Sequence, residues 1–331
     1  MSSPGIISQE TDHGNYLTCL SRKPDPVITI SKRLSGGHWM RKVTSMEIPA
    51  SRWFDAIFLR RSRRQFDARE VEPNVLQALH VLCREFKPFP SARAALITQS
   101  PAGVFRGAVG PYGKVKGAPF FIAFMGDMDD PNIQERVGYL GEGIILEATA
   151  SNLATCWVGG FFRPEVAASL VGKRESERIL AVTPIGYSPD DWSREEKIMS
   201  GFGRSHRRKP LSELVAGIEE KRWPDWMKVA LQAARLAPSA VNRQPWRFQV
   251  GPESVTISVD NQRDTFHISK RLDCGIAMLH LEVALQRCGL RGRWKFLEPP
   301  GVAQFLIDAL PDAEVSFYPP SRSVGLPGSG P

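Results

Sequence analysis

Paired cysteines are missing from this 331-residue chain: its five cysteines, Cys19, Cys83, Cys156, Cys274 and Cys288, form no Cys-x-x-Cys and are odd in number. That argues against a disulfide framework and for a reducing compartment. No apolar run approaches the roughly 18 uncharged residues of a membrane span, and no signal peptide is visible at the N-terminus. The six histidines, at 13, 38, 80, 206, 267 and 280, are scattered without metal-ligand spacing. Gly141-x-Gly143 and Gly201-x-Gly203 do not complete a Gly-x-Gly-x-x-Gly fingerprint between a strand and a helix. Ser-His-Asp chemistry has no supporting motif. A soluble, cytoplasmic chain with no metal centre is the expectation.

The apolar fraction, 42%, and the charged fraction, 24%, are ordinary for a soluble globular protein. The length allows one large domain or two small ones. There are 43 Lys and Arg against 35 Asp and Glu, a net +8. That excess suits nucleic acid, an acidic surface or an anionic cofactor equally.

Residues 1–45 are polar and aperiodic and read as a disordered tail or an upstream extension, with Met46 an alternative start. Within them Val27-Ile28-Thr29-Ile30 is a possible edge strand. Order begins near Pro49. Trp53, Phe54, Ile57 and Phe58 recur at helical spacing, in a helix that runs up to Arg60-Arg61-Ser62-Arg63-Arg64-Gln65-Phe66. A second helix starts at Pro73, and strands are expected at 96–97 and 119–124. A basic, glycine-rich connection runs from Arg106 to Gly117. A long helix over 133–155 leads into Thr155 to Phe162, expected as an apolar strand ending in the glycine pair Gly159-Gly160. Pro164 opens another helix, and 179–187 reads as a buried strand.

From Pro224 the pattern begins again. A helix lined by Trp226, Val229, Ala230, Ala233 and Ala234 closes at Pro238, and a hairpin pairs 248–250 with 255–259. A second long helix spans 268–289, followed by a strand at 294–297, a short helix at 302–309 and a last strand near 314–318. The segment 319–331 is rich in Pro, Gly and Ser and reads as a disordered tail. Leu140-Gly141-Glu142-Gly143-Ile144 can be laid over Leu272-Asp273-Cys274-Gly275-Ile276 at an offset of 132, so the chain reads as two degenerate copies of one unit.

Two stretches carry chemistry. Arg60, Arg61, Arg63 and Arg64 place four guanidinia around Ser62, a density that suits a phosphate, because guanidinium forks make charge-assisted and often bidentate bonds. In Ala237-Pro238-Ser239-Ala240-Val241-Asn242-Arg243-Gln244-Pro245-Trp246, two prolines stiffen a loop bearing two carboxamides and a hydroxyl. Each carboxamide offers donors and an acceptor in one plane, as the edge of a flat heteroaromatic requires. Gln244 is open to a second reading, capping backbone groups of its own loop. Trp246 opens a strand and reads as core. His280 lies on an apolar helix and reads as structural, and Cys156 as a buried apolar side chain.

Together these stretches resemble the FMN-dependent nitroreductase superfamily, over residues 49 to about 297. The Pro-Ser-x-x-Asn-x-Gln-Pro-Trp loop matches at Pro238, Ser239, Asn242 and Gln244, and the Arg-Ser motif at Arg60, Arg61 and Ser62. The resemblance implies an α+β fold in which mixed sheets are flanked by helices. Proteins of this superfamily are typically homodimers that build each flavin site from both subunits. Here the first half (46–209) has the arginine motif without the loop, and the second (210–318) has the loop without the arginines. The resemblance therefore implies a monomeric pseudo-dimer with one composite site.

By resemblance Arg60, Arg61 and Ser62 hold the FMN phosphate and ribityl chain, and Arg64 lies near the flavin N1–C2=O edge, where a positive charge favours reduction. Arg207 and Arg208 close the phosphate pocket; Ser239, Asn242 and Gln244 meet the pyrimidine edge and ribityl chain. At Val158-Gly159-Gly160 a backbone N–H faces flavin N5, although relatives that carry a Glu there differ from this chain. The implied activity is ping-pong hydride transfer from NADH or NADPH, through FMN, to a nitroaromatic, a quinone or a similar electron-poor small molecule. No side chain beyond the cofactor is required as a catalyst, and neither a membrane nor nucleic acid is an expected partner. Two alternatives stay open: a flavin enzyme with a different reaction, and a cofactor-free protein of the same fold that binds anions or nucleic acid.

Overall fold

The computed structural model describes residues 46–99, 101–105, 115–189, 207–264 and 267–308. The expected strands at 27–30 and 314–318, both tails and much of the 106–117 and 188–209 connections lie outside them.

The first half contains α1 (Ala50–Leu59), α2 (Pro73–Glu85), β1 (Ala92–Ile97), α3 (Ala102–Phe105), β2 (Phe120–Asp127), α4 (Ile133–Ala150), β3 (Ala154–Thr155), α5 (Pro164–Val171) and β4 (Glu177–Gly186). The second contains α6 (Leu211–Leu214), β5 (Val215–Gly217), α7 (Asp225–Arg235), β6 (Trp246–Val250), β7 (Ser254–Val259), α8 (Lys270–Arg287), β8 (Gly292–Phe296) and β9 (Gly301–Ile307). The expected mixed α+β architecture, two sheets flanked by helices, is what the chain forms.

The sheets repeat one topology. Strand order is β1-β2-β4-β3 in the first and β6-β7-β9-β8 in the second, antiparallel throughout, with β5 added parallel to the β6 edge. This pattern corrects the helix expected at 302–309. Those residues form β9, whose Val302, Ala303, Phe305 and Ile307 are buried while Gln304 and Leu306 are half-buried. A short apolar run has no helical or strand period strong enough to decide, and pairing with β7 and β8 decides it.

Packing follows from the periods. In β2, Ile122 and Phe124 face the main core while Phe121, Ala123 and Met125 face a smaller one against α3 and α5. Between the sheets lie α4 and α8, each of 18 residues and each buried nearly all round. Their two ends stand 137 positions apart, which corrects the offset of 132. The glycine that matters is Gly138, opposite Gly275: a Cβ on Gly138 would lie 2.1 Å from Leu272 O, and one on Gly275 would lie 2.0 Å from Glu135 O. The contacts are reciprocal, as a local two-fold between the copies requires.

Glu177, buried at the start of β4, accepts from Arg93 Nε and Nη2, each at 2.7 Å, and from the Arg174 N–H at 2.7 Å. The Arg93 bonds are the largest cause that lowers its pKa to about 2. A carboxylate depressed in the folded state contributes stability that is present above its unfolded value, about 4.5, and is lost as pH falls towards 2. Glu177→Gln is expected to lower stability at pH 7 by about 3 kcal/mol. Urea unfolding should show that gap closing by pH 2.5; an equal gap at both pH values would refute the assignment.

Candidate functional site

Helix α1 buries Trp53, Phe54, Ala56 and Ile57 and stops at Arg60, whose ψ of 126° turns the chain into an extended path. Ser62 then bridges to Thr155 and Gln65 to Lys116, and the Arg63 N–H donates to Thr155 O at 2.9 Å. The arginine motif therefore runs beside β3. Arg60 is 7% exposed, with Nη1 donating to Ser62 Oγ at 3.4 Å and Nε 3.9 Å from Glu142 Oε1. Burial lowers its pKa, Glu142 opposes that, and Arg61 adds to it. Arg61 is exposed and donates to the carbonyls of Phe58 and Arg60, both at 2.8 Å. Arg63 is buried and donates to Pro189 O at 2.8 Å; Arg64 is half-buried, and its carbonyl accepts from the Lys116 N–H at 2.9 Å.

The second motif lies between α7 and β6. Val241, Asn242 and Gln244 have φ of 51°, 54° and 49°. Left-handed backbone costs a non-glycine residue about 1–3 kcal/mol, and a β-branched valine has least reason to adopt it. The loop is held from several sides. Gln244, 3% exposed, has Oε1 accepting from the Lys209 N–H at 2.8 Å, while Nε2 donates to Arg207 O at 3.1 Å and Asn242 O at 3.2 Å. Its carboxamide thus fastens this loop to 207–209, and only its bond to Asn242 O caps a backbone group of its own loop. Ser239 Oγ accepts from the Gln244 N–H at 2.9 Å. Asn242 Oδ1 accepts from Arg208 Nη1 at 2.9 Å, and its Nδ2 donates to Arg207 O at 2.9 Å. Pro238 and Trp246 are buried.

Arg208 joins the two motifs. Burial is the first cause lowering its pKa to about 10, followed by repulsion from Arg60, Arg235 and Arg61. Guanidinia from both halves are therefore close enough to feel one another. The glycine turn meets the second half as well: a Cβ on Gly159 would sit 3.3 Å from the Ile268 side chain, and Ile268 O accepts from Arg243 Nη2 at 3.0 Å. Val158 exchanges both backbone bonds with Val182, at 2.9 Å each. Its N–H is committed to the sheet, which leaves Gly159 and the exposed Gly160 as the donors of that turn.

Four participants were not among the residues singled out for the site. Thr155 is 1% exposed, and its Oγ1 has no hydrogen-bond partner among the described residues, although Ser62 and Arg63 lie alongside. Glu142 stands behind Arg60, accepts from Trp157 Nε1 at 2.6 Å, and meets His280 Nε2 at 2.9 Å. Asp273 and Arg243 pair at 2.7 Å beneath the loop. No local pattern marks these residues, because their partners lie far away in sequence. His280 is fully buried, as a structural histidine should be; its Nδ1 faces Ala233 O at 2.9 Å and so carries a proton, since a carbonyl only accepts.

These donors fit a phosphate-bearing aromatic group. Several guanidinia converge, an orphaned hydroxyl lies beside them, and a strained loop holds an amide on one of the arginines. Among the described residues no group of three or more His, Cys, Asp or Glu could hold a metal ion, and no helix is long and apolar enough to cross a membrane.

A family model described as "Putative TM nitroreductase" matches residues 53–285. No curated protein matches the chain. Among solved structures, one described as a "putative nitroreductase" from Thermotoga maritima MSB8 is 19% identical, covers 84% of this chain and 100% of its own, and superposes with a TM-score of 0.53. A nitroreductase family protein from Clostridium difficile 630 is 20% identical over 49% of this chain and 94% of its own, with a TM-score of 0.36. An FMN-dependent nitroreductase from Clostridium difficile R20291 is 16% identical over 42% of this chain and 88% of its own, with a TM-score of 0.35. At these identities the Thermotoga structure speaks for the fold, and the family model, which spans well over half of the sequence, speaks for descent. The chain belongs to the nitroreductase family that this model describes.

Proposed function

We propose that the chain is an FMN-dependent NAD(P)H oxidoreductase of nitroreductase type, a monomeric pseudo-dimer of halves 46–209 and 210–318 with one composite site. Its acceptor would be a nitroaromatic, a quinone or another electron-poor small molecule. The observation that carries this reading is Arg208, bonded to Asn242 of the second half and repelled by Arg60 and Arg61 of the first. Guanidinia gathered from both halves at a partly dehydrated place suit an anion, and a flavin phosphate is such an anion.

In this reading Arg60, Arg61, Ser62, Arg207 and Arg208 hold the phosphate and ribityl chain, and Arg64 lies at the N1–C2=O edge. Pro238, Ser239 and Asn242 form the loop against the ring, with Gln244 as its fastening, and Val158, Gly159 and Gly160 form the opposite turn. FMN, when bound, supplies the acceptance and release of hydride. The protein's part is to neutralise the phosphate, fix the plane of the ring and keep a cation near its pyrimidine edge.

The test is an absorbance spectrum of the purified protein, then FMN titration of the apo form. One FMN per chain is expected, with turnover of NADH or NADPH in the presence of a quinone or nitroaromatic. Arg208→Met, which keeps most of the volume, is expected to weaken FMN about 10- to 100-fold by removing a charge-assisted contact. Two FMN per chain would refute the composite site. No binding would leave a cofactor-free protein on this fold.

A further inference from the structure

Asp273 sits in the first turn of α8 (Lys270–Arg287), 2% exposed and outside both motifs. Its two oxygens take up different parts of the loop: Oδ1 accepts from the Ala240 N–H at 3.1 Å, and Oδ2 from Arg243 Nε at 2.7 Å. The residues between those points are Val241 and Asn242, both left-handed. Arg243 is 10% exposed; its Nη2 donates to Ile268 O, against which Gly159 packs, and its Nη1 has no hydrogen-bond partner among the described residues. One carboxylate therefore brackets the strained pair and ties it, through Arg243 and Ile268, to the glycine turn of the other half.

The other copy supplies the contrast. The position of α4 that corresponds to Asp273 is Arg136, of opposite charge. Arg136 pairs with Asp130 at 2.7 Å, reaches Ser91 Oγ at 3.4 Å, and lies over the rings of Phe296 and Phe89 at 4.6 and 5.4 Å. There Pro90-Ser91 runs straight into β1 at Ala92, with no counterpart of Ala240–Pro245. Where the chain has no loop, the position fills space between aromatic rings; where it has the loop, the position is a carboxylate that grips it.

We propose that Asp273 is the positioning residue of the flavin site, holding Ala240 and Arg243 so that Val241 and Asn242 keep the left-handed conformation that presents Asn242 to Arg208 and the ligand. This rests on the functional reading above. Burial pushes the carboxyl up to about 6, with Arg243 the strongest opposing influence and Asp264 adding to the rise. Other ionisable groups nearby are Lys270, Arg271 and Cys274 on its own helix and Glu135 on α4, which is paired with Arg271. Protonation removes the attraction for Arg243, so the grip weakens as pH falls through about 6. Stability moves the other way. A carboxyl with a raised folded value contributes stability that is fully present below its unfolded value, about 3.8, and is lost as pH rises through about 6. Weaker flavin binding near pH 5.5 therefore does not arise from unfolding driven by this group.

The test is FMN affinity from pH 5 to 8 for the wild type and Asp273→Asn, which keeps an oxygen for the Ala240 N–H. Affinity of the variant is expected to be at least tenfold weaker at pH 7.5, and that of the wild type to fall about threefold more than the variant's between pH 7.5 and 5.5, the FMN phosphate, with its second pKa of about 6, titrating in both. A variant within twofold of the wild type at pH 7.5, or one whose pH dependence equals the wild type's, overturns the proposal. Hydrogen exchange of the Ala240 and Asn242 amides in the flavin-free protein gives a second reading. Exchange at least tenfold faster in the variant, with β6 unchanged, supports the grip, and unchanged exchange overturns it. If the wild type binds no FMN, the functional reading fails, and exchange alone still decides whether Asp273 holds the loop.

Discussion

Gly275→Ala is expected to destabilise the protein by about 2 kcal/mol or more, although alanine is the better helix former. Propensity favours the change by about 1 kcal/mol. Against it, the new methyl carbon would lie 2.0 Å from Glu135 O and 2.7 Å from Glu135 C and Cα, all backbone atoms of α4. A side chain could turn aside; a buried helix backbone must move bodily, and overpacking of that kind costs 1–3 kcal/mol or more. The helices α4 and α8 also carry the cores of both sheets, so separating them loosens Ile144, Ile145, Ile276 and Leu279 together. Gly138→Ala meets Leu272 O at 2.1 Å and should behave alike. The double variant should fall short of the sum, since a crossing already opened has less to lose. Urea unfolding of the three variants checks this. A loss below 1 kcal/mol for Gly275→Ala would mean that the crossing is not what sets the approach of the halves.

Glu142→Ala should be comparably damaging, by about 3–5 kcal/mol, because one carboxylate serves three partners from separate parts of the chain. Removing it leaves Trp157 Nε1 and His280 Nε2 without their acceptor and strips the buried Arg60 guanidinium of its nearest counter-charge. Glu142→Gln is the informative control. Its amide oxygen can still accept from Trp157 Nε1 or from the His280 ring, so the loss should be about 1–2 kcal/mol, with part of the hydrogen bonding retained and the charge gone. If both variants lose the same amount, the counter-charge for Arg60 is the main contribution of Glu142; if Glu142→Ala is tolerated, the network is incidental. Heat and urea denaturation measure both. In the proposed function Arg60 begins the phosphate-binding stretch, and on that reading FMN affinity should fall in the same order as stability.

Much of the fold was legible before any coordinates. The apolar periods of α1, α2, α4, α7 and α8 are long enough to be unambiguous, and Pro73 and Pro164 mark two helix starts. The two candidate stretches stand out because four guanidinia in five residues, and a proline-bracketed pair of carboxamides, are unusual locally. Short apolar segments were less legible: 302–309 has the composition of a buried element of either kind, and only its neighbours in the sheet make it a strand. Glycine alignment failed for a related reason. Gly141, Gly143 and Gly275 look interchangeable as letters, whereas Gly138 and Gly275 are the two on which the helices touch.

The sequence by itself determined the class of the fold, the existence of two copies and the residue types that a phosphate-bearing aromatic ligand needs. Local propensity, period and residue chemistry are properties of neighbouring residues, and neighbouring residues are what a sequence displays. Tertiary structure alone decided that Gln244 fastens the loop to Arg207 and Lys209, that the Val158 N–H belongs to Val182, and that Glu142 and Asp273 stand behind the two motifs. Each of these is a pairing across tens of residues between buried polar groups. Such groups must find partners wherever the packing of helices and sheets brings them, and that packing is settled only when the whole core closes.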